Sequence, residues 1–183
     1  MPDSASLQTA TTDRKVPFAV VIQGEGDDPD ALMARFAARL RQSGWCVRGL
    51  IQPPRLPGQP RPMVVLDLDD ESSLYDIANP LGPNAQGCRV DPSAVADASV
   101  VLRRARAEGA DLVMVNRFGT LEASGGGLVA EIAGLLSDSI PVLAVLNPRY
   151  LQEWRDFTAG TGTELPPRME AVQEWFDQLF PPR

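Results

Sequence analysis

Histidine is absent from this 183-residue sequence, and cysteine occurs only twice. Without an imidazole, the chain cannot build a Ser-His-Asp site, a Cys-His site or an imidazole metal site from its own residues. Two cysteines fall short of a structural zinc site, and we interpret Cys46 and Cys88 as free thiols. Any catalysis by this chain would therefore use carboxylates, amines, guanidinium groups or a thiolate.

Long apolar runs and an excess of positive charge are also missing. No run approaches the ~20 apolar residues that span a bilayer, so we expect no membrane insertion. Residues 1–15 lack the apolar core of a secretory signal, and we interpret them as a disordered tail of a cytoplasmic protein. The net charge of -7 disfavours binding to a nucleic-acid backbone.

What the sequence does contain is the composition of an ordinary globular protein, with 44% hydrophobic and 22% charged residues. We expect residues 16–183 to form a single α/β domain. Apolar runs predict about five strands, at residues 17–23, 45–51, 63–68, 112–115 and 140–146, and residues 72–77 a further short strand or a turn.

Amphipathic segments alternate with these strands. They predict helices at residues 28–42, 91–108, 125–138, 149–157 and 168–180, and we interpret residues 158–165 as a loop. Asp28, Asp91 and Asn147 each stand before a proline, which is typical of the capped start of a helix. Alternating strands and helices predict a mainly parallel sheet with helices on both faces.

The loop of residues 24–30, between the first strand and the first helix, has the layout of a phosphate-binding loop. Such a loop reads GxxxxGK followed by Ser or Thr, with a lysine that neutralises phosphate and a hydroxyl that binds magnesium. Here Pro29 stands in the place of the lysine and Asp30 in that of the hydroxyl, and the other acids make the loop anionic. We interpret Gly24 and Gly26 as a tight turn, with a magnesium or calcium site as the alternative.

The stretch of residues 111–128 holds the main candidate site. Its apolar strand ends at Asn116 and Arg117, and open α/β sheets bind ligands at the carboxyl ends of their strands. Arg117 is a permanent cation, and glycines at the start of the following helix would offer free backbone N–H groups to an anion. The candidate ligand-binding residues are Asn116, Arg117, Gly119, Glu122, Gly125, Gly126 and Gly127, with Gln86, Cys88 and Arg89 from a preceding loop.

Each part of this candidate site also has a structural interpretation. Arg117 and Glu122 would form a salt bridge across the turn, and we weigh this interpretation equally with ligand binding. The three glycines would serve only chain reversal and close packing.

The order and spacing of several motifs resemble a bacterial family known as a domain of unknown function, which is described beside molybdate uptake and molybdenum metabolism. The motifs are GWCVRGLIQ at 44–52, GCRVDP at 87–92, ADLVMVNRFG at 110–119 followed by Glu122, and PVLAV at 141–145 followed by Trp154 and Arg155. The resemblance implies a small anion such as molybdate as the ligand and a protein partner in molybdenum handling.

The layout is similar, more distantly, to small P-loop nucleoside-triphosphatases related to thermophilic and cancer-linked enzymes. This similarity implies a three-layer P-loop-NTPase-like fold. In those enzymes an acidic pair at the strand tip holds magnesium, whereas this chain has Asn116 and Arg117 there and keeps the later Phe118, Gly119 and Glu122.

From these features we expect a non-hydrolytic small-ligand-binding or regulatory protein, and we assign no catalytic residue, cofactor or metal. The alternative is a divergent nucleoside-triphosphatase or phosphotransferase. A protein-interaction module is a third option.

Overall fold

The computed structural model describes residues 16–56, 58–60, 62–79 and 89–181. Its strands are β1 (Phe18–Ile22), β2 (Val47–Ile51), β3 (Val64–Asp67), β4 (Leu74–Asp76), β5 (Leu112–Phe118), β6 (Val142–Leu146) and β7 (Thr163–Leu165). Its helices are α1 (Pro29–Gln42), α2 (Pro92–Ala98), α3 (Val100–Glu108), α4 (Thr120–Ala123), α5 (Val129–Ser137), α6 (Leu151–Phe157) and α7 (Met169–Leu179), with a short 3-10 helix at Pro148–Tyr150.

Within the described ranges the seven strands form one sheet in the order β4-β3-β2-β5-β6-β1-β7. The pairs from β2 through β5, β6 and β1 to β7 are parallel, and β3 and β4 add an antiparallel edge. The predicted α/β class with a mainly parallel sheet is confirmed.

Two details of the sheet differ from the prediction. The segment predicted as a loop at 158–165 contains β7, whose three residues are too few for a periodic pattern and which is held by pairing with β1. The third predicted strand, now β3, runs antiparallel to its neighbour β2. The segment at 72–77 contains the short strand β4.

Side chains of the central strands alternate between two apolar layers. Val20, Val113 and Ala144 pack with α2, α3, α5 and α6 on one face, which we call the first face. Leu143 and Val145 pack with α1 and α7 on the second face. Because strands with helices on both faces are buried on both sides, they read as continuous apolar runs in the sequence.

The predicted helix starts fall into two groups. Asp28, Asp91 and Asn147 cap α1, α2 and the 3-10 helix through side-chain hydrogen bonds to backbone N–H groups, as predicted. The helix predicted from 91 to 108 is interrupted at Ser99 and forms α2 and α3. The helix predicted to begin at Gly125 begins at Val129, and α4 precedes it.

Candidate functional site

The carboxyl ends of β1, β2, β5 and β6 meet at one edge of the sheet, where a cavity of about 270 Å³ opens. Its apolar wall comes from strand and helix residues that also belong to the first-face core. The lining residues are Gln23, Leu50, Gln52, Met63, Val65, Ile77, Val90, Val95, Ala98, Asn116, Arg117, Phe118, Gly119, Thr120, Leu121, Glu122, Leu128, Asn147, Arg149 and Tyr150.

Arg117 lies at the tip of β5 and ties three other elements together. Its Nη2 donates to Asp30 Oδ1 at 2.7 Å, its Nη1 to Gln23 Oε1 at 2.9 Å and its Nε to Gln52 Oε1 at 3.2 Å. The side chain of Asp30 is only 2% exposed and that of Arg117 20%. The predicted alternative, a salt bridge from Arg117 to Glu122, is therefore wrong, because the guanidinium turns toward α1 instead.

A β-bulge in β5 sets this direction. Val115 pairs with Ala144 and Arg117 with Val145, so Asn116 is an extra residue between two paired positions. Arg117 thereby shares the second face with Val145 and reaches Asp30, and Phe118 returns to the first face. A bulge next to a site commonly re-aims a side chain.

Asn116 lines the cavity, and its Oδ1 is buried without a hydrogen-bond partner in the described part of the chain. Such an atom costs free energy unless something pairs with it, so it calls for an explanation. The side chain comes from the extra residue of the bulge.

The loop before α1 uses its own carboxylates to satisfy its backbone. The Gly24 N–H donates to Asp27 Oδ2 at 2.8 Å, and the Ala31 N–H donates to Asp28 Oδ1 at 3.1 Å. A Cβ on Gly24 would overlap the Asp27 carboxylate. These two backbone N–H groups are thus already bonded to internal anions.

Glu122, in α4, accepts hydrogen bonds from backbone N–H groups in the same way as Asp27 and Asp28 do in the loop before α1. It is 8% exposed, and it accepts hydrogen bonds from the Gly119 N–H at 3.0 Å and the Leu128 N–H at 3.1 Å. Burial raises the pKa of Glu122 above its ordinary value, and the backbone N–H groups of Leu128 and Gly119 oppose the rise. The Glu122 side chain thus holds the turn between β5 and α5.

Two of the three glycines predicted to open a helix donate their N–H groups within the preceding turn. The Gly125 N–H donates to the Glu122 carbonyl and the Gly126 N–H to the Leu121 carbonyl, both in the turn that follows α4. Gly127 has a φ of +57°, and a Cβ there would overlap the Glu122 carboxylate. The prediction that these glycines are the first residues of the helix is therefore wrong, and none of the three lines the cavity.

Arg149 and Tyr150 are site residues that the sequence interpretation missed. The Arg149 guanidinium carbon lies 4.5 Å from the centre of the Tyr150 ring, and the Tyr150 hydroxyl pairs with that of Thr120. Arg149 forms no ion pair with any residue in the described ranges. Their position directly after β6 and Asn147 was the available signal, because polar residues at a strand tip reach the ligand edge of a parallel sheet.

Of the remaining predicted residues, only Gly119 lines the cavity within the described part of the chain. The Arg89 side chain is exposed and is not among the lining residues. Gln86 and Cys88 lie outside the described ranges. No group of three or more acidic or thiol side chains within those ranges is arranged to hold a metal ion.

The family model described as "Protein of unknown function (DUF2478)" matches residues 18–175. The chain belongs to the DUF2478 family. This DUF2478 chain is also 34% identical over 160 residues to a protein named Molybdenum import ATP-binding protein ModC 2, from Bradyrhizobium diazoefficiens. The match covers 86% of this chain but only 18% of that relative's length.

Among solved structures, the DUF2478 chain is similar to a human cancer-related nucleoside triphosphatase, with a TM-score of 0.60 and 17% identity. The likeness covers 88% of this chain and 93% of the other, and at this identity it establishes the fold alone. None of the described helices is both long and apolar enough to cross a bilayer.

Proposed function

We propose that this DUF2478 chain is a non-hydrolytic small-ligand-binding or regulatory module of molybdate import. The ligand we propose is a small oxyanion, with molybdate as the first candidate. The connection to molybdenum comes from the name of the relative, of which the matched region is 18%.

The ion pair between Arg117 and Asp30 is the observation that carries this proposal. A P-loop triphosphatase needs a hydroxyl on the first helix and an acid at the strand tip, so that both can bind magnesium. In this chain the helix contributes a carboxylate and the strand tip contributes a guanidinium, 2.7 Å apart. The two opposite charges cancel at the position where a P-loop triphosphatase would bind its magnesium ion.

The loop before α1 supports the same conclusion. Its Gly24 N–H bonds to Asp27, and Pro29 provides no ammonium group for a phosphate. A triphosphate would have to displace an internal carboxylate and would meet other acids nearby. We therefore propose that the phosphate-binding motif is degenerate and that nucleotide hydrolysis is lost.

The cavity keeps the features of a binding site. Arg149 and Arg117 both line it, and they place two permanent cations beside its amide groups. Guanidinium groups suit tetrahedral oxyanions because they donate paired, charge-assisted hydrogen bonds. We infer that Arg149 is the main anion contact, since Arg117 already donates to three side chains.

Calorimetry on the full chain tests the proposal. Molybdate, tungstate, sulfate, phosphate, ATP and GTP are titrated with and without magnesium, and phosphate release is followed for the nucleotides. We expect an oxyanion to bind, with at least tenfold weaker binding for Arg149→Gln and no change for Arg168→Gln. Arg168 is a matched control because it is an exposed arginine outside the cavity. Magnesium-dependent ATP turnover would refute the proposal.

A further inference from the structure

The cavity is larger and more apolar than a bare oxyanion requires. Its volume is about 270 Å³, and an apolar cavity of roughly 150 Å³ is enough to hold a benzene molecule. A tetrahedral oxyanion at Arg149 would leave the partly exposed side chains of Met63, Val90 and Leu121, which also line the cavity, in contact with water. Apolar surface of this kind gains free energy when a ligand covers it.

The polar groups of the cavity are of two kinds. Arg149 supplies a positive charge that has no carboxylate partner within the described ranges. Asn116 supplies a buried carbonyl oxygen that lacks a hydrogen-bond donor in the same part of the chain. Arg149 can therefore pair with an anionic group of a ligand, and Asn116 can accept a hydrogen bond from an N–H group of the ligand.

We propose that the ligand of this cavity is an organic anion with a body of one or two fused rings that carries an N–H group. The ring packs against the apolar wall, the N–H pairs with the Asn116 carboxamide, and the anionic group pairs with Arg149. This inference rests on the proposed anion-binding function of the cavity and replaces the inorganic oxyanion with an organic anion as its preferred ligand. It predicts that a charged heteroaromatic molecule binds more tightly than either its uncharged ring or an inorganic oxyanion.

Four probes separate these contributions: indole-2-carboxylate, indole without the charge, naphthalene-2-carboxylate without the N–H, and sodium molybdate without a ring. Their Kd values are measured on the full chain by calorimetry and ligand-observed NMR. We expect indole-2-carboxylate to bind at least tenfold more tightly than each of the other three. Arg149→Gln should reduce its advantage over indole to less than threefold, and Arg168→Gln should preserve that advantage.

Two further variants locate the ring and the N–H. Val90→Phe places a larger side chain on the apolar wall, so we expect it to weaken indole-2-carboxylate at least tenfold without weakening molybdate. Asn116→Ala should remove the preference for indole-2-carboxylate over naphthalene-2-carboxylate. Thermal unfolding of each variant, compared with the wild type, checks that the fold is retained.

The outcomes distinguish this inference from the function on which it rests. Molybdate binding as tightly as indole-2-carboxylate would overturn the inference and leave the proposed function in place. Equal binding of the two ring carboxylates would overturn the assignment of Asn116. Binding of none of the organic anions or oxyanions would overturn both proposals.

Discussion

At the scale of single residues, the ion pair between Arg117 and Asp30 is the main stabilising interaction at the carboxyl edge of the sheet. Breaking a buried ion pair by removing one partner typically costs ~3–5 kcal/mol, because the other charge stays buried. We expect Arg117→Met to lower the free energy of unfolding by about 3 kcal/mol, the lower end of that range, since the Arg117 side chain keeps 20% exposure. Urea unfolding measures the change.

The double variant Arg117→Met with Asp30→Asn should recover at least about 1 kcal/mol of this loss, because it also removes the stranded charge. A matched control is the exposed pair of Arg155 and Glu164, whose side chains are 46% and 35% exposed. We expect Arg155→Met to cost less than about 1 kcal/mol. If Arg117→Met and Arg155→Met lower the free energy of unfolding equally, burial does not make the Arg117 pair more stabilising than an exposed pair.

Glu122 gives a prediction about pH. Its pKa in the folded protein is raised by burial above the ordinary value of 4.5, so the folded state holds the proton more tightly than the unfolded state. The stability that this group contributes is therefore complete below pH 4.5 and declines as the pH rises through the raised pKa. We expect the unfolding free energy of the wild type, relative to Glu122→Gln, to fall as the pH is raised from about 4 to about 7.

Asp138 provides a control of the opposite sign. Its hydrogen bonds from Arg106 lower the pKa of Asp138 below the ordinary value of 3.8. Its stabilising contribution is present above that value and is lost as the pH falls through the lowered pKa. Urea unfolding of Glu122→Gln between about pH 4 and 7 should show the wild type losing relative stability as the pH rises. Asp138→Asn, compared below about pH 5, should show the wild type losing relative stability as the pH falls, and slopes of the same sign would be inconsistent with the assignment for Glu122.

At the scale of elements, the contact of β2 with β5 depends on Gly49. Its φ is +113°, and a Cβ at this position would overlap the Met114 carbonyl oxygen of the neighbouring strand. We expect Gly49→Ala to destabilise the protein by about 3 kcal/mol or more, since backbone strain and steric overlap add. Urea unfolding provides the measurement.

Gly109 is the matched control for this prediction. It also has a positive φ, +82°, but an added Cβ there would meet nothing within 4 Å. We expect Gly109→Ala to cost less than Gly49→Ala, ~1–3 kcal/mol, the penalty of its backbone conformation alone, since its ψ is 148°. If the two glycine variants lose the same stability, close approach of the strands is not the reason for Gly49.

The elements also show how far the sequence could predict this fold. The starts of α1 and α2 were predictable because a capping aspartate followed by proline is a local signal. The start of α5 was not, because the Glu122 carboxylate bonds to the Leu128 N–H and so organises the turn before the helix. β7 was missed because it is short and is defined by pairing with β1, far away in the chain.

At the scale of the whole molecule, the sheet has a buried parallel centre and an antiparallel edge that is more exposed. Val20, Val113 and Ala144 in the central strands are fully buried, whereas Leu74 in the edge strand β4 is 58% exposed. We expect backbone amides of β1, β5 and β6 to exchange only through global unfolding and those of β4 to exchange at least about tenfold faster through local opening. Native-state hydrogen exchange measures this difference; uniform protection across the sheet would contradict it.

The sequence predicted where the candidate site lies more easily than it predicted which residues contact one another there. Polar residues after apolar strands indicated the carboxyl edge, and Arg117 and Asn116 do line the cavity there. The partners of Arg117 could not be predicted, because Gln23, Gln52 and Asp30 lie 94, 65 and 87 residues away along the chain. The bulge that turns Arg117 toward them is set by pairing with β6, and a single sequence does not show this register.

The guanidinium at the tip of β5 has one more consequence. Unlike a bound magnesium ion, it is covalently part of the chain, so it cannot be extracted by a chelator or exchanged for another metal. The charge at this edge of the sheet is therefore the same in a cell that lacks divalent ions as in one that is rich in them. The occupancy of a binding site beside it would therefore depend on the concentration of its ligand and not on that of divalent ions.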